Sequence, residues 1–358
     1  MLTPSISFAV VGLLGFALSR LALGFSKVFA EHPESYKWYR DTSVFLALLL
    51  FGGMSAIFYN APDMYDVAAP VAWYVLPAVF LTAGLLYVVF WFEIVWLTRA
   101  AVLAASVLLA CMLPSNCLIF EGLVPLWADR ILASLAVFVF VSGAEYINLL
   151  AGVFGVQAAA ISAGIGILAL LGGAPLYLGA IGVYAAGVWL GFLNLNWFPS
   201  KVYINSGTCM AAAYVSAWML LQGAAELAGP SVLILAMFFL SEIIWAAAQK
   251  FVFGQNTVDL SENTACYEAF SKGVAVPAIG VAVAKINVVN VILAMFQLYS
   301  ANSFSVPIFA FLINLWLLGI LYNANEGVKS LKEANKDFVR DVKSGIDSIK
   351  KSFNKNKD

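Results

Sequence analysis

The sequence is poor in charged residues. Only 11% of its 358 residues are charged and 63% are hydrophobic, whereas ordinary soluble domains carry about 25% charged and about 45–50% apolar residues. The 19 basic and 20 acidic side chains cannot provide the polar surface of a soluble globule of this length. A soluble enzyme and a disordered chain are therefore both excluded.

Histidine and cysteine are also scarce. His32 is the single histidine, so no second imidazole exists to complete a His-based catalytic triad or a His-ligated metal site. The four cysteines form neither a zinc-binding pattern nor a disulfide framework. A net charge of -1 gives no basic face for nucleic acid, which is not expected as a partner.

Long apolar runs are abundant instead, each close to the length of about 20 residues that a membrane-spanning helix needs. The alternating short segments of a strand barrel are not seen. Ten candidate spans occur at 4–25, 42–59, 70–97, 100–113, 130–152, 156–172, 176–194, 207–227, 230–249 and 303–323. We therefore predict an all-α polytopic membrane bundle of about ten transmembrane helices.

The stretch 273–300 is apolar but contains Pro277, Lys285, Asn287 and Asn290. We interpret it as a re-entrant or interfacial segment, and an eleventh span is the alternative. The choice matters for the end of the chain, because one further span moves everything after it to the other side of the membrane.

Basic residues indicate the orientation. The links 26–41, 195–206 and 250–272 carry lysines on one side, and the positive-inside rule assigns them to the cytoplasm. Residues 328–358 hold nine of the 19 basic residues. With ten spans this basic segment lies on the side away from the cytoplasm and breaks the rule. With eleven spans it lies on the cytoplasmic side and follows the rule.

The chain is predicted to have two parts: a polytopic transmembrane domain, 1–325, and a charged tail, 326–358. Apolar residues recur in the tail at helical spacing, while Lys and Asp fill the other face. We predict an amphipathic helix that lies on the membrane surface or binds partner subunits. Its apolar residues are Val328, Leu331, Phe338, Val342, Ile346, Ile349 and Phe353.

Polar residues at membrane depth are costly, so each is a candidate functional residue. Glu93 lies near the end of the third run, and Glu242 lies in the ninth. Glu145 and Asn148 are three residues apart in the fifth run, which places them on one helix face. The alternative for each is an interhelical hydrogen bond or a side chain that reaches the interface.

Two stretches contain recognisable motifs: NLLAG at Asn148–Gly152, followed by Gly155, and NWFPSK at Asn196–Lys201. Together with the PES run at 33–35, they resemble the signature stretches of the polyprenyl-phosphate N-acetylhexosamine-1-phosphate transferases (glycosyltransferase family 4). Within that family the sequence is most similar to the eukaryotic UDP-GlcNAc–dolichyl-phosphate GlcNAc-1-phosphate transferase. The layout of residues 1–250 suits the resemblance.

The resemblance implies about ten membrane helices and transfer of GlcNAc-1-phosphate from UDP-GlcNAc to a lipid phosphate. It also implies Mg²⁺ held by carboxylates, because phosphoryl transfer depends on positioning and charge neutralisation. Asn148, Glu145, Asn196 and Lys201 fall at positions expected to bind substrate or lipid phosphate, with Glu145 replacing a family asparagine. Glu93 and Asn148 would hold the metal if the protein were active.

The departures from the family fall on the chemistry. The two acids that end the third span of the family align with Phe92 and Glu93, and its later Gly-Asp pair aligns with Asn205 and Ser206. The link 250–272 contains no Arg and no His to bind the nucleotide diphosphate. We therefore expect no intact catalytic set.

These observations predict a catalytically degraded family member that acts as a non-enzymatic integral membrane subunit or scaffold, binds lipid and needs no cofactor. The alternative is an active Mg²⁺-dependent transferase whose metal site is rebuilt from Glu93, Glu145 and Asn148. Expected partners are membrane lipids (polyprenyl or dolichyl phosphate, or phospholipid) and other membrane subunits, bound through the tail. The resemblance implies the endoplasmic reticulum membrane, and a mitochondrial or other organellar inner membrane is the alternative.

Overall fold

A computed structural model describes most of the predicted transmembrane domain. It covers residues 4–28, 74–90, 92, 94–113, 124–172, 175–198, 200, 204–225, 229–252, 260–300 and 305–323. The apolar run 42–59, the tail 326–358, Glu93 and Lys201 lie outside the described residues.

Every regular element in this part of the chain is a helix, which confirms the predicted all-α class. A short 3₁₀ turn, Leu260–Asn263, precedes α10. The helices are α1 (Pro4–Val28), α2 (Leu76–Phe90), α3 (Val95–Cys111), α4 (Leu126–Ile147), α5 (Val153–Leu170), α6 (Leu176–Asn196), α7 (Ser206–Gly223), α8 (Gly229–Leu235), α9 (Met237–Phe251), α10 (Ala265–Ser271), α11 (Val276–Tyr299) and α12 (Ser305–Asn323).

Five helices, α4, α5, α6, α11 and α12, are long and apolar enough to cross a membrane. A sixth span is added if α8 and α9, which meet at an angle of 62°, form one broken span. The apolar helices α2 and α3 are shorter, as is Ile6–Leu21, the part of α1 whose side chains the structure describes. The chain is therefore a helical integral membrane protein, and in its described part the count of spans is five or six, below the ten predicted.

The interpretation of 273–300 as re-entrant or interfacial is wrong, because α11 is one continuous helix of 24 residues. Pro277 lies in the first turn, where its missing N–H breaks no intrahelical hydrogen bond. Asn287 donates to the Val283 carbonyl of its own helix at 3.0 Å. Asn290 and Asn314 of α12 donate to each other's side-chain oxygens at 3.2 and 2.7 Å. The two asparagines that suggested a break thus have partners within the helices.

Two predicted runs are each divided by the structure. The third run, 70–97, contains the end of α2 at Phe90 and the start of α3 at Val95, with Ile94 in an extended conformation between them. The ninth run, 230–249, is divided between α8 and α9. Because neither break contains Pro or Gly, hydropathy alone does not reveal it.

The centre of the bundle is formed by α5 and α6, with α1 packed along α6. A Cβ on Gly187 of α6 would overlap the backbone of Gly12 in α1, and one on Gly182 would lie 2.7 Å from the Ser162 carbonyl oxygen of α5. These glycines allow the helix backbones to approach closely, which increases van der Waals contact where no hydrophobic effect drives association.

One end of the bundle collects most of the motif residues, and we call it the polar end. There α2, α4 and α6 finish and α3, α5 and α7 begin. Trp197 packs against Gly280 near the start of α11, since a Cβ on Gly280 would lie 2.8 Å from Cη2 of the indole. The Lys272 ammonium donates to the Tyr322 carbonyl near the end of α12 at 3.1 Å. Two links that the sequence assigns to one membrane face, 195–206 and 250–272, thus both contribute to this end.

Candidate functional site

The residues that carry the family resemblance meet at the polar end. We call Asn148, Asn196, Asn205 and the Glu145–Arg99 pair the polar joint. Each member contacts a backbone group or a charged side chain of the protein itself. The joint therefore connects α3, α4, α5, α6 and α7.

The first contact links the two signature motifs. After α4 ends at Ile147, the NLLAG sequence turns the chain into α5, and Gly152 adopts φ +85°, a conformation that favours glycine. The Gly152 N–H donates to Oδ1 of Asn196 at 2.8 Å, and Asn196 is buried. The Trp197 ring lies against the same glycine. NLLAG and NWFPSK are thus fastened by a buried hydrogen bond and a ring contact.

The other two asparagines position the start of α7. Asn148, which caps the C-terminal end of α4, donates from Nδ2 to the Ile204 carbonyl at 2.9 Å. Oδ1 of the next residue, Asn205, accepts from the backbone N–H of Thr208 at 2.8 Å and from its hydroxyl at 2.7 Å. Asn205 is therefore an N-cap residue, and Ser206 is the first residue of α7.

Glu145 is paired with a cation from a neighbouring helix. Nη2 of Arg99, in the first turns of α3, donates to Oε2 of Glu145 at 3.2 Å and to the Tyr146 hydroxyl at 3.3 Å. The guanidinium and carboxylate side chains are 30% and 29% exposed, so we expect the pair to stabilise the fold by only about 0–1 kcal/mol. Its importance is that the carboxylate already has a positive partner.

Sequence reasoning did not single out Arg99, although a signal was present. It is the only charged residue in α3, and an arginine within an apolar helix needs a carboxylate or a polar partner. Glu145, in the adjacent apolar helix, has the complementary charge. A search of the neighbouring apolar helices for an acidic residue would have suggested the pair.

The other predicted site residues are not brought into the joint. Phe92 lies in the turn between α2 and α3, where its N–H donates to the Val89 carbonyl at 3.1 Å, and its side chain is 61% exposed. Glu93 and Lys201 are outside the described residues, so the contribution predicted for each stays a prediction.

The described residues offer no cluster of metal ligands. They contain no group of three or more His, Cys, Asp or Glu side chains able to hold a metal ion. In the joint, Glu145 faces Arg99, and the Asn205 oxygen accepts two hydrogen bonds at the start of α7. A divalent cation prefers carboxylate oxygens, and here Oε2 of Glu145 is engaged by a guanidinium instead.

Glu242, the polar residue of the ninth predicted run, has a different role. It is 1% exposed, and its two oxygens accept from the backbone N–H groups of Ala265 and Cys266 at 2.8 and 3.1 Å. The side chain of α9 thereby holds the start of α10, and we call this contact the clasp. Burial, followed by the neighbouring Glu242 carboxylate, raises the pKa of the Cys266 thiol well above its usual range. The predicted link 250–272 is thus partly buried rather than a simple surface loop.

Comparison with known proteins does not assign the chain to a family. No protein-family model matches the sequence, and no curated protein matches it either. The resemblance to the GlcNAc-1-phosphate transferases therefore rests on the motif residues alone.

Proposed function

We propose that this protein is a non-enzymatic integral membrane subunit, a scaffold with a transferase-like layout whose polar end fastens helices together. The observation that carries the proposal is the pairing of Glu145 with Arg99. In a working transferase, carboxylates at this end must be available to Mg²⁺. Here a guanidinium of the same chain compensates the carboxylate charge, so no metal is needed for that purpose.

The asparagines support the same proposal. Asn148 and Asn196, which the resemblance assigns to substrate or lipid-phosphate binding, are engaged with the backbone groups of Ile204 and Gly152. Turning either amide towards a ligand would leave a polar backbone group without its partner, at a cost of about 1–3 kcal/mol if that group is buried. A structural role uses these side chains as they stand.

The competing function is active, Mg²⁺-dependent transfer of GlcNAc-1-phosphate from UDP-GlcNAc to a polyprenyl or dolichyl phosphate. It would require Glu93, Glu145 and Asn148 to hold the metal. Arg99 would have to leave Glu145, and the Asn148 side chain would have to turn its oxygen towards the ion. The pairings described above favour the scaffold over this rearrangement.

The proposal extends to the topology of the chain. Because α12 ends at the polar end beside Lys272, the basic tail 326–358 would emerge on that side, as the positive-inside rule requires. On the cytoplasmic face an amphipathic helix could bind other membrane subunits. The resemblance favours the endoplasmic reticulum membrane, with a mitochondrial or other organellar inner membrane as the alternative.

The test of the enzymatic question is release of UMP by the gently purified full-length protein. The mixture contains UDP-GlcNAc, Mg²⁺ and dolichyl phosphate, and a known dolichyl-phosphate transferase purified in the same way is the positive control. We expect no release above the level without protein. Turnover that is Mg²⁺-dependent, tunicamycin-sensitive and abolished in Glu93→Gln would overturn the proposal.

The test of the scaffold role is to identify the proteins that co-purify with the full chain and with two tail variants. Ile346→Asp places a charge on the predicted apolar face, whereas Ser348→Asp adds the same charge on the opposite face. We expect stoichiometric membrane proteins with the native chain and with Ser348→Asp, and their loss with Ile346→Asp. Equal recovery of partners with both variants would contradict docking through the tail.

A further inference from the structure

The two C-terminal helices of the described region enclose a groove. α11 and α12 run antiparallel, since α11 begins and α12 ends at the polar end. Between them lies a cavity of about 370 Å³, lined by Ala278, Ala282 and Lys285 of α11 and by Leu317 and Ile320 of α12. Apart from the lysine, all lining side chains are apolar. Such walls suit a hydrocarbon chain better than a polar ligand.

Lys285 is the feature that needs an explanation. Its side chain is exposed, and it makes no hydrogen bond or ion pair with any residue that the structure describes. Lys272, by contrast, donates to the Tyr322 carbonyl and lies 3.2 Å from the centre of the Tyr322 ring. A cation within a membrane helix is costly and marks a functional position by default. Lys285 is thus a charge for which the described protein supplies no counterion.

The position of Lys285 along the helix suits a lipid headgroup. It follows Val276 by nine residues, which corresponds to about 14 Å at 1.5 Å per residue. Side chains of a helix lean towards its N-terminus, so the lysine is directed towards the polar end. A long lysine side chain can lie along apolar surface while its ammonium approaches the interface. An anion reached by this ammonium would therefore lie towards the interface, with hydrocarbon beside it.

The groove is also held in place. The reciprocal hydrogen bonds between Asn290 and Asn314, both fully buried, join α11 to α12 just beyond the groove's deeper end. At the other end, Lys272 joins the start of α11 to Tyr322. The two helices are therefore joined at both ends of the groove.

We propose that this groove binds a phospholipid with a net negative headgroup, one acyl chain lying between α11 and α12 and the Lys285 ammonium contacting the headgroup phosphate. Charge complementarity selects this occupant, because apolar walls alone would accept any acyl chain and the unpaired cation favours an acidic lipid. The site is separate from the polar joint and does not depend on the asparagines that bind backbone there.

Native mass spectrometry of the full-length protein in detergent tests the site. The protein is titrated with dioleoylphosphatidylglycerol and, as the neutral comparison, dioleoylphosphatidylcholine. We expect the first bound phosphatidylglycerol to be about fivefold tighter, the factor for one lysine near a headgroup. Lys285→Gln should remove this preference and Lys285→Arg should retain it. Ala282→Phe, which fills the groove and keeps the charge, should weaken binding of that lipid.

Three outcomes would overturn the proposal. An unchanged preference in Lys285→Gln would assign acidic-lipid binding to another basic segment such as the tail. Unchanged binding in Ala282→Phe would reduce the lysine to a surface charge without a groove. No preference in the native chain would leave the groove to another occupant, such as a segment of the same chain. Equal unfolding temperatures of the variants in neutral detergent show that they are folded, and Lys285→Arg provides the comparison if Lys285→Gln is not.

Discussion

The polar joint and the groove between α11 and α12 differ in whether their polar side chains have partners within the protein. In the joint, Asn196 accepts from a backbone N–H and Glu145 faces Arg99. In the groove, Lys285 has no partner among the described residues. The residues that lie in the motifs form contacts within the fold, whereas Lys285, which lies in no motif, is available to a ligand. An unsatisfied charge is thus a better guide to binding here than a matching motif.

If buried polar groups are structural, the largest loss of stability should follow removal of the clasp. Glu242→Leu leaves the N–H groups of Ala265 and Cys266 without acceptors, which we expect to cost about 3 kcal/mol. Glu242→Gln keeps one acceptor oxygen and should lose less. Thermal unfolding in detergent measures both variants.

A local measurement distinguishes loss of the clasp from general instability. Cys266 is buried, whereas Cys111 is exposed, so maleimide should label Cys111 much faster in the native protein. Glu242→Leu should accelerate labelling of Cys266 and leave Cys111 unchanged, as read by peptide mass spectrometry. Slow labelling of Cys266 in the variant would mean that α10 is held by other contacts.

The next effect should come from the buried hydrogen bond of the joint. Asn196→Leu leaves the Gly152 N–H without an acceptor, and we expect a loss of about 2 kcal/mol. Asn196→Asp retains an acceptor oxygen and should unfold closer to the native temperature. Asn194, exposed on the same helix and accepting only an exposed hydrogen bond from Arg20 at 3.3 Å, provides the matched control as Asn194→Leu. Equal losses in the two leucine variants would show that the buried contact has no special weight.

A smaller effect is expected at the start of α7. Asn205→Ala removes the acceptor for the Thr208 N–H, and loss of an N-cap costs about 1 kcal/mol. Asn205→Ser keeps a capping oxygen and should restore most of this loss. Thermal unfolding of the two variants measures the difference. A loss in Asn205→Ser as large as in Asn205→Ala would mean that the amide acts through something other than the cap.

The sequence predicts the helical membrane class well, because apolar composition determines it almost directly. It predicts helix ends poorly where the chain turns without Pro or Gly, as between Phe90 and Val95. It also gives wrong predictions where polar residues in a span have partners in a neighbouring helix. From the sequence alone, Asn290 indicates a break in a span. The packing of α11 against α12 places Asn314 beside it as a hydrogen-bond partner.

The joint is predicted in part. The sequence identifies Asn148, Asn196 and Asn205 as positions of interest, because they fall in or beside recognisable motifs. It does not show that Asn148 and Asn196 bind backbone groups, since these bonds join residues 56 and 44 positions apart. The role of Arg99 is missed for the same reason, as the carboxylate that it pairs with lies 46 positions along the chain.

The smallest effect on stability should come from a substitution in the groove. Lys285→Leu breaks no contact within the described protein, so in phosphatidylcholine–detergent micelles its unfolding free energy should stay within about 0.5 kcal/mol of the native value. Asn290→Leu, on the same helix, breaks the pair with Asn314 and should be clearly destabilising. Because a ligand that binds only the folded state stabilises it, phosphatidylglycerol should raise the unfolding temperature of the native chain and not of Lys285→Leu. If Lys285→Leu instead loses as much stability as Asn290→Leu in the neutral lipid, then the lysine has a partner within the chain and belongs with the joint rather than opposite to it.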